Sequence, residues 1–183
     1  ENIGIILLGV GACMLFIKMN QPVLSVFSLC AGLYHLVNHA IFKGLLFLCA
    51  GSVYKSTGTR DIEKLGGLIK TMPWTATSFL IGALAISAIP PLNGFVSEWL
   101  TLQAFFWGAI ISTASYKVFL SICAALLALT GGLAAACFVK AFGITFLAMP
   151  RSKKAEEAKD ASSSMKVAFV ILSALIIIFG LAA

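Results

Sequence analysis

The sequence predicts an all-α integral membrane protein with about five transmembrane segments. Of its 183 residues, 60% are hydrophobic and only 11% are charged, whereas a soluble domain has close to a quarter of its residues charged. The mean hydropathy is +1.02. The apolar residues form long runs without strand-like alternation, and about 20 such residues are needed for a helix to cross a bilayer. This composition excludes a soluble enzyme.

The chain consists of apolar segments joined by polar connections. The segments are roughly 3–17, 23–54, 73–110, 118–149 and 165–182. The connections are 18–22, 55–71, 111–117 and 150–164. Because the first run is short for a spanning helix, the chain is predicted to be a C-terminal fragment of a longer subunit.

The segment 73–110 is long enough either to cross once as a broken helix or to cross twice as a hairpin. Charge decides between these topologies, because cytoplasmic loops carry the excess of Lys and Arg. A single crossing places nine basic residues on one side and only Lys18 and Lys117 on the other. The nine are Lys55, Arg60, Lys64, Lys70, Arg151, Lys153, Lys154, Lys159 and Lys166. We therefore predict one broken span, with loops 55–71 and 150–164 cytoplasmic and the C-terminus outside.

The basic residues and the cysteines do not indicate a nucleic-acid or metal-binding protein. The formal net charge is +6, but most of the cations lie in those two loops rather than on a surface interleaved with aromatic residues. The five cysteines are single residues within apolar runs and form no CxxC motif, so they are interpreted as packing residues. No nucleic-acid partner and no metal site are predicted.

Three basic side chains, His35, His39 and Lys43, lie four residues apart in the second segment. On a helix this spacing makes a stripe that drifts by about 80° over two turns. A lysine facing lipid near the membrane centre costs about 2.5–3.5 kcal/mol on insertion scales, so these groups should face protein or water. Buried packing with a fixed carboxylate partner and a histidine metal pair are alternatives. Proton transfer is favoured, because histidine titrates near neutral pH.

The stretch SAIPPLNGFVSEWL predicts the break in segment 73–110. Pro90 and Pro91 remove amide donors and disfavour helix before them, and Asn93 with Gly94 is expected to complete the interruption. Broken helices at mid-membrane depth are a recurring way to build ion sites.

Glu98 follows the break by one turn and is the one acid inside an apolar segment. It is interpreted as a titrating site in the outer half of the membrane, with a structural ion pair as the alternative. Lys140 is either an inner member of the same proton-transfer chain or an end-of-helix lysine that reaches the head groups.

Two blocks, YHLVNHAIFKGLLFLCAGSVY and SAIPPLNGFVSEWL, together resemble the antiporter-like proton-channel subunits shared by three systems. These are respiratory complex I, membrane-bound [NiFe] hydrogenases and multisubunit sodium/proton antiporters. Within this family, IPPLNGFVSEWL and ACFVKAFGITFLAMPRS look most similar to the large membrane subunit of hydrogenase-4 and formate hydrogenlyase.

The resemblance implies that residues 1–149 form the second of two inverted half-channel repeats. A cytoplasmic loop (150–164) and a final transmembrane helix (165–183) follow. Lys43 would be the central proton store and Glu98 the outward terminus, in a subunit of the cytoplasmic membrane with no active site of its own.

The resemblance also implies that this chain has no cofactor. Nickel-iron and iron–sulfur centres would lie in partner subunits, which include other membrane subunits and a peripheral redox arm. A sodium/proton antiporter subunit and a non-pumping membrane anchor are the alternative functions.

Overall fold

The computed structural model describes residues 1–182, which form eight α-helices and a short 3₁₀ turn at Ile62–Lys64. In chain order the helices are α1 (Asn2–Lys18), α2 (Pro22–Thr57), α3 (Leu68–Thr71), α4 (Pro73–Ile86), α5 (Asn93–Ile111), α6 (Ala114–Phe146), α7 (Lys153–Glu156) and α8 (Ser163–Leu181). Helices α2, α5, α6 and α8 are long and apolar enough to span a membrane, and α1 and α4 are shorter apolar helices. The predicted all-α membrane fold is confirmed.

Helix α2 is the central element, and α1, α4, α5 and α8 pack around it. Its 36 residues give a length of about 54 Å, so its ends extend beyond a hydrocarbon core of about 30 Å. It begins with Pro22 at the first helical position, where proline costs no hydrogen bond. It ends at Gly58, whose φ of 69° allows the left-handed cap conformation. Its midpoint falls near His39.

Helices α4 and α5 run one after the other along α2 in the opposite direction. At one end Ser52 Oγ lies 3.3 Å from Thr75 Oγ1, and in the middle Gly82 packs against Leu46. Beyond the break, Asn93 contacts Asn38 and Ser97 contacts His35. Since residue numbers fall along α2 as they rise along α4 and α5, segment 73–110 crosses once. The predicted broken span is therefore confirmed, and the two-pass hairpin is excluded.

The break itself is shorter than predicted. Helix α4 ends in a reverse turn in which the Ala88 amide donates to the Ala85 carbonyl and the Ile89 amide donates to the Leu84 carbonyl, both at 3.1 Å. Pro90 and Pro91 then separate the two helices. The sequence placed Asn93 and Gly94 inside the interruption, but they are the first two residues of α5. An α-helix leaves its first amides without intrahelical partners, so α5 can start directly after the prolines.

The two long polar connections meet at the same end of the molecule. Ser152 Oγ donates to the Lys64 carbonyl at 2.8 Å, and the Lys159 amide donates to Ser56 Oγ at 2.7 Å. At the opposite end, Ser112 lies against Met19. The nine basic residues of the two loops and their flanks are therefore gathered at one end of the bundle.

Several segment boundaries differ from those predicted by hydropathy. Helix α6 begins at Ala114 rather than at residue 118, so Lys117 lies in its first turns and the connection from α5 is only two residues long. The long connections contain α3 and α7, and Ala155 and Ala158 are buried. Hydropathy marks the hydrocarbon region, whereas backbone hydrogen bonding extends a helix beyond it.

Helices α1 and α2 cross closely at two glycines. A Cβ added to Gly9 would lie 2.7 Å from the Gly32 Cα, whereas a Cβ on Gly11 would meet nothing within 4 Å. We expect Gly9→Ala to destabilise the subunit by about 1–3 kcal/mol, because the obstructing atoms are backbone. The heat-induced unfolding midpoint of the purified full-length subunit should fall for Gly9→Ala and stay unchanged for Gly11→Ala. Equal midpoints for the two variants would contradict this packing.

The carboxylate of Asp160, in the loop before α8, caps the start of α4. Asp160 Oδ2 accepts a hydrogen bond from the Trp74 amide at 3.0 Å, and Oδ1 accepts one from Thr75 Oγ1 at 2.7 Å. Burial on its own would raise the pKa of Asp160. Hydrogen bonds from Thr75, from the Ala161 and Trp74 amides and from the Thr75 amide outweigh it and hold the pKa below its ordinary value of 3.8.

Replacing Asp160 with asparagine should destabilise the protein by about 1 kcal/mol at neutral pH, the usual size of a lost helix cap. Because the folded-state pKa is lowered, this contribution is complete above the ordinary aspartate pKa and is lost as pH falls through the lowered value. The unfolding midpoint of Asp160→Asn should therefore approach that of the parent in acid. Glu157→Gln, at an exposed acid in the same loop, is the control. If the difference in unfolding midpoint between Asp160→Asn and the parent did not change with pH, the proposed helix cap would be contradicted.

Candidate functional site

Where α2, α5 and α1 meet beside the break, the interior is polar. The side chains are buried although they lie at membrane depth, and each helix supplies at least one. They are His35 and Asn38 from α2, Asn93, Ser97 and Glu98 from α5, and Asn2 from α1. Buried polar groups in a membrane are costly and mark functional sites, so this cluster is the candidate site.

His35 is fully buried and is held by hydrogen bonds at both ring nitrogens. Its Nδ1 lies 2.9 Å from Ser97 Oγ, and its Nε2 lies 3.2 Å from Asn2 Oδ1. The ring is thus fixed between α5 and α1. The interior position expected for this histidine is the one that the structure has.

Asn38 and Asn93 form a reciprocal pair that ties α2 to the first turn of α5. Asn38 Nδ2 donates to the Asn93 backbone carbonyl at 3.0 Å, and Asn93 Nδ2 donates to Asn38 Oδ1 at 3.2 Å. The carbonyl accepts only, so it fixes the orientation of both amides. Asn93 Oδ1 must then point away from Asn38, and it is buried without a partner among residues 1–182. A buried acceptor of this kind is a place for an ordered water.

Glu98 is 7% exposed, and its carboxylate faces α6. A Cβ added to Gly131 would lie 3.7 Å from Glu98 Oε2, so the absence of a side chain there leaves room for the carboxylate. Within the described residues the ion pairs are Lys64 with Asp61 and Lys166 with Asp160. Glu98 therefore forms no ion pair in this part of the chain, which favours a titrating group over a structural pair.

His39 and Lys43 are only half-buried. They lie at the edge of the side of α2 that carries the exposed residues Leu36 and Phe47, and Lys43 Nζ is 5.9 Å from the Phe47 ring centroid. Each step of four residues turns about 40° around a helix. The stripe therefore begins at His35 in the interior and reaches the margin of the packed surface at Lys43.

Lys140 is separated from this cluster. It is exposed on α6, about 15 Å along the helix from its midpoint near Thr130. The structure does not bring it to His35 or Glu98, so its membership of a proton-transfer chain stays a prediction.

Sequence reasoning missed three partners in the cluster: Asn2, Asn38 and Ser97. For two of them the sequence contained a usable pattern. Asn38 follows His35 by three residues, which puts it on a neighbouring part of the same helix face, and Ser97 directly precedes Glu98 inside an apolar segment. For Asn2 there was none, since its role depends on how α1 packs.

A metal interpretation of His35 and His39 finds no further ligands nearby. Among residues 1–182 there is no group of three or more His, Cys, Asp or Glu side chains placed to hold a metal ion. What the arrangement supplies is a row of groups that can accept and release protons, beside an interrupted helix.

Comparison with known proteins identifies the family of this chain. Residues 12–127 match the family model described as NADH:quinone oxidoreductase/Mrp antiporter, transmembrane. Over its whole length the chain is 51% identical to hydrogenase-4 component B and 48% identical to formate hydrogenlyase subunit 3, both from Escherichia coli (strain K12). It spans only 27% and 30% of those two relatives.

A solved structure of respiratory complex I from Thermus thermophilus with bound NADH contains a similar fold. That similarity has a TM-score of 0.72 at 30% identity and covers 98% of this chain and 33% of the matching chain. The chain thus belongs to the NADH:quinone oxidoreductase/Mrp antiporter transmembrane family.

Proposed function

We propose that this chain is part of a proton-translocating membrane subunit of a hydrogenase-type or complex I-like oxidoreductase. The observation that carries the proposal is the position of Glu98. It is a buried carboxyl group without an ion pair among residues 1–182, one turn after a helix break, next in sequence to the serine that contacts a buried histidine. These features support a path for protons rather than a rigid structural core.

The proposed path begins at Lys43, follows His39 and His35, and ends at Glu98. Lys43, at the half-buried edge of α2, receives the proton, and waters bridge the gaps between the side chains. Asn93 Oδ1 offers one such water an acceptor. Lys140 is a candidate for an additional proton-carrying group on the cytoplasmic side of this path.

Burial gives this path its electrostatic coupling. Two unit charges about 10 Å apart interact by roughly 1.7 kcal/mol at an effective dielectric constant of about 20, and by roughly 0.4 kcal/mol in water. At that separation, and with bulk water excluded between the two groups, a proton that arrives at Lys43 would shift the equilibrium at Glu98 by more than tenfold, which groups in water would not do. A charge change in a neighbouring subunit would act on Lys43 in the same way.

The end that gathers the nine basic residues is proposed to be cytoplasmic, as the positive-inside rule requires. Helix α8 then runs outward, and the C-terminus of the chain is outside. Ser97, the neighbour of Glu98, packs at the level of His35, about 7 Å to the outer side of the α2 midpoint. With this proposed orientation, Glu98 would lie toward the exterior end of the path.

The redox chemistry that drives transport is proposed to lie in partner subunits. The family relationship supports a peripheral arm with nickel-iron and iron–sulfur centres, and further membrane subunits beside this one. Residues 1–149 would form the second half-channel of the full subunit, followed by the 150–164 loop and the last helix.

The test uses the complete complex with the full-length subunit, reconstituted into vesicles and driven by redox turnover. Proton movement, followed with a pH-sensitive dye, should accompany turnover and should be unchanged when sodium is replaced by choline at constant pH. Turnover without proton movement would reject the proposal and favour a membrane anchor.

Sodium/proton exchange is the second candidate, because Glu98 is a buried carboxyl group that follows the break closely in sequence, and carboxylate oxygens coordinate Na⁺. In that case proton movement would depend on sodium in the same vesicles.

A further inference from the structure

Ser97 is placed to donate its single hydroxyl hydrogen to any of three acceptors. Its Oγ lies 2.9 Å from His35 Nδ1, 3.0 Å from the Gly94 carbonyl and 3.2 Å from the Asn93 carbonyl. A serine hydroxyl has one hydrogen to donate and can accept through its oxygen. The state of the histidine therefore decides where that hydrogen points.

Two arrangements satisfy the ring of His35. When the ring is neutral, its Nε2–H donates to Asn2 Oδ1 and the Ser97 hydroxyl donates to the unprotonated Nδ1. When the ring takes a second proton, Nδ1–H donates to Ser97 Oγ. The serine hydrogen must then turn toward the Gly94 or Asn93 carbonyl, and the Asn2 contact stays the same.

Both of these carbonyls belong to the first turn of α5, next to the break. The Asn93 carbonyl also accepts from Asn38 Nδ2, so it gains a further donor when the serine hydrogen turns toward it. The Gly94 carbonyl accepts the amide of Glu98 by the regular helical pattern. The hydrogen of Ser97 thus connects the protonation of His35 with the turn that holds Glu98.

We propose that Ser97 is a positioning residue for proton transfer: its hydroxyl changes direction with the protonation of His35 and transmits that change to the first turn of α5. The inference rests on the proposed proton path. It adds a residue that holds no transferred proton itself but couples the histidine to the helix break.

Other titratable groups lie on His35's own helix and on the two helices that contact its ring. They are His39 and Lys43 on α2, Glu1 beside Asn2 at the start of α1, and Glu98 beside Ser97 on α5. These groups are unchanged in the variants below, so they affect all of the variants equally.

The test compares Ser97→Ala with Thr101→Val and Ser97→Thr in the complete complex. Thr101 is also buried, but its hydroxyl donates to the Ser97 carbonyl of its own helix, so Thr101→Val removes a hydroxyl without touching His35. Ser97→Thr keeps the hydroxyl. Assembly of each variant is measured first, and then the pH dependence of redox-driven proton transport.

A second measurement does not require transport. The pH-induced infrared difference spectrum of the purified complex contains bands of the His35 ring, which are identified by their loss in His35→Gln. The midpoint of those bands should shift by about 0.5 to 1 pH unit in Ser97→Ala, the size expected when one hydrogen bond to the ring is lost. The transport profile should shift with it.

The proposal is supported if both midpoints move in Ser97→Ala and stay at the parent value in Thr101→Val and Ser97→Thr. An unmoved infrared midpoint in Ser97→Ala, or an equal shift in Thr101→Val, would overturn it. Failure of the proposed proton path would give a different result. In that case Lys43→Ala would transport protons at the parent rate, independently of the result for Ser97→Ala.

Discussion

Replacing Lys43 with alanine is expected to reduce redox-driven proton transport by about a hundredfold or more, the usual effect of removing a group that transfers protons. Lys43 lies at the margin of α2, where the buried row that begins at His35 reaches the surface of the packed helices. Without its amine, no titratable side chain of this row remains on the cytoplasmic side of His39. The measurement is dye-reported proton movement per electron transferred, in vesicles that contain the complete complex.

Lys117→Ala provides the matched control, because Lys117 is an exposed lysine at the opposite end of the bundle. That variant should assemble and transport as the parent does. Lys43→Ala should also assemble normally, since its side chain has no ion pair among residues 1–182. Parent-like transport by Lys43→Ala at normal assembly would reject its place in the path.

Replacing Glu98 with glutamine should stop transport while the fold is preserved. Glutamine has nearly the same shape as glutamate but cannot carry a proton, and the site beside Gly131 already accommodates a side chain of this size. Because Glu98 is buried without a cationic partner in the described chain, losing its charge should leave thermal stability unchanged or raise it. Transport and the unfolding midpoint are both measured.

Glu63→Gln, at an exposed acid in the loop after α2, should change neither quantity. If Glu98→Gln unfolded at a clearly lower temperature, a structural role for the carboxylate would be indicated instead. If it transported at the parent rate, Glu98 would lie outside the path.

The sequence was sufficient to predict the elements that are fixed by local chemistry. Two adjacent prolines inside an apolar run predicted the break, and the distribution of Lys and Arg predicted that the two long connections share one end. His35, His39 and Lys43 were predicted to face protein or water because charge in hydrocarbon is costly, and the structure encloses His35 while His39 and Lys43 are half-buried.

The parts that could not be predicted depend on tertiary packing. The four-residue spacing identified a stripe, but only the packing of α1 and α5 shows that His35 is enclosed while Lys43 is at the margin. The contact between His35 and Asn2 joins residues from different helices, and no local pattern indicates it. The sequence left open whether Lys140 joins the proton-transfer chain or reaches the head groups, and the structure shows it on the exposed side of α6.

The most direct test of the account is a structure of the complete complex in a lipid environment at a resolution that shows ordered water. The account predicts a continuous hydrogen-bonded path from Lys43 Nζ through His39 and His35 to the Glu98 carboxylate, with one water on Asn93 Oδ1. Apolar side chains that fill the space between Lys43 and Glu98, with no water between them, would contradict it.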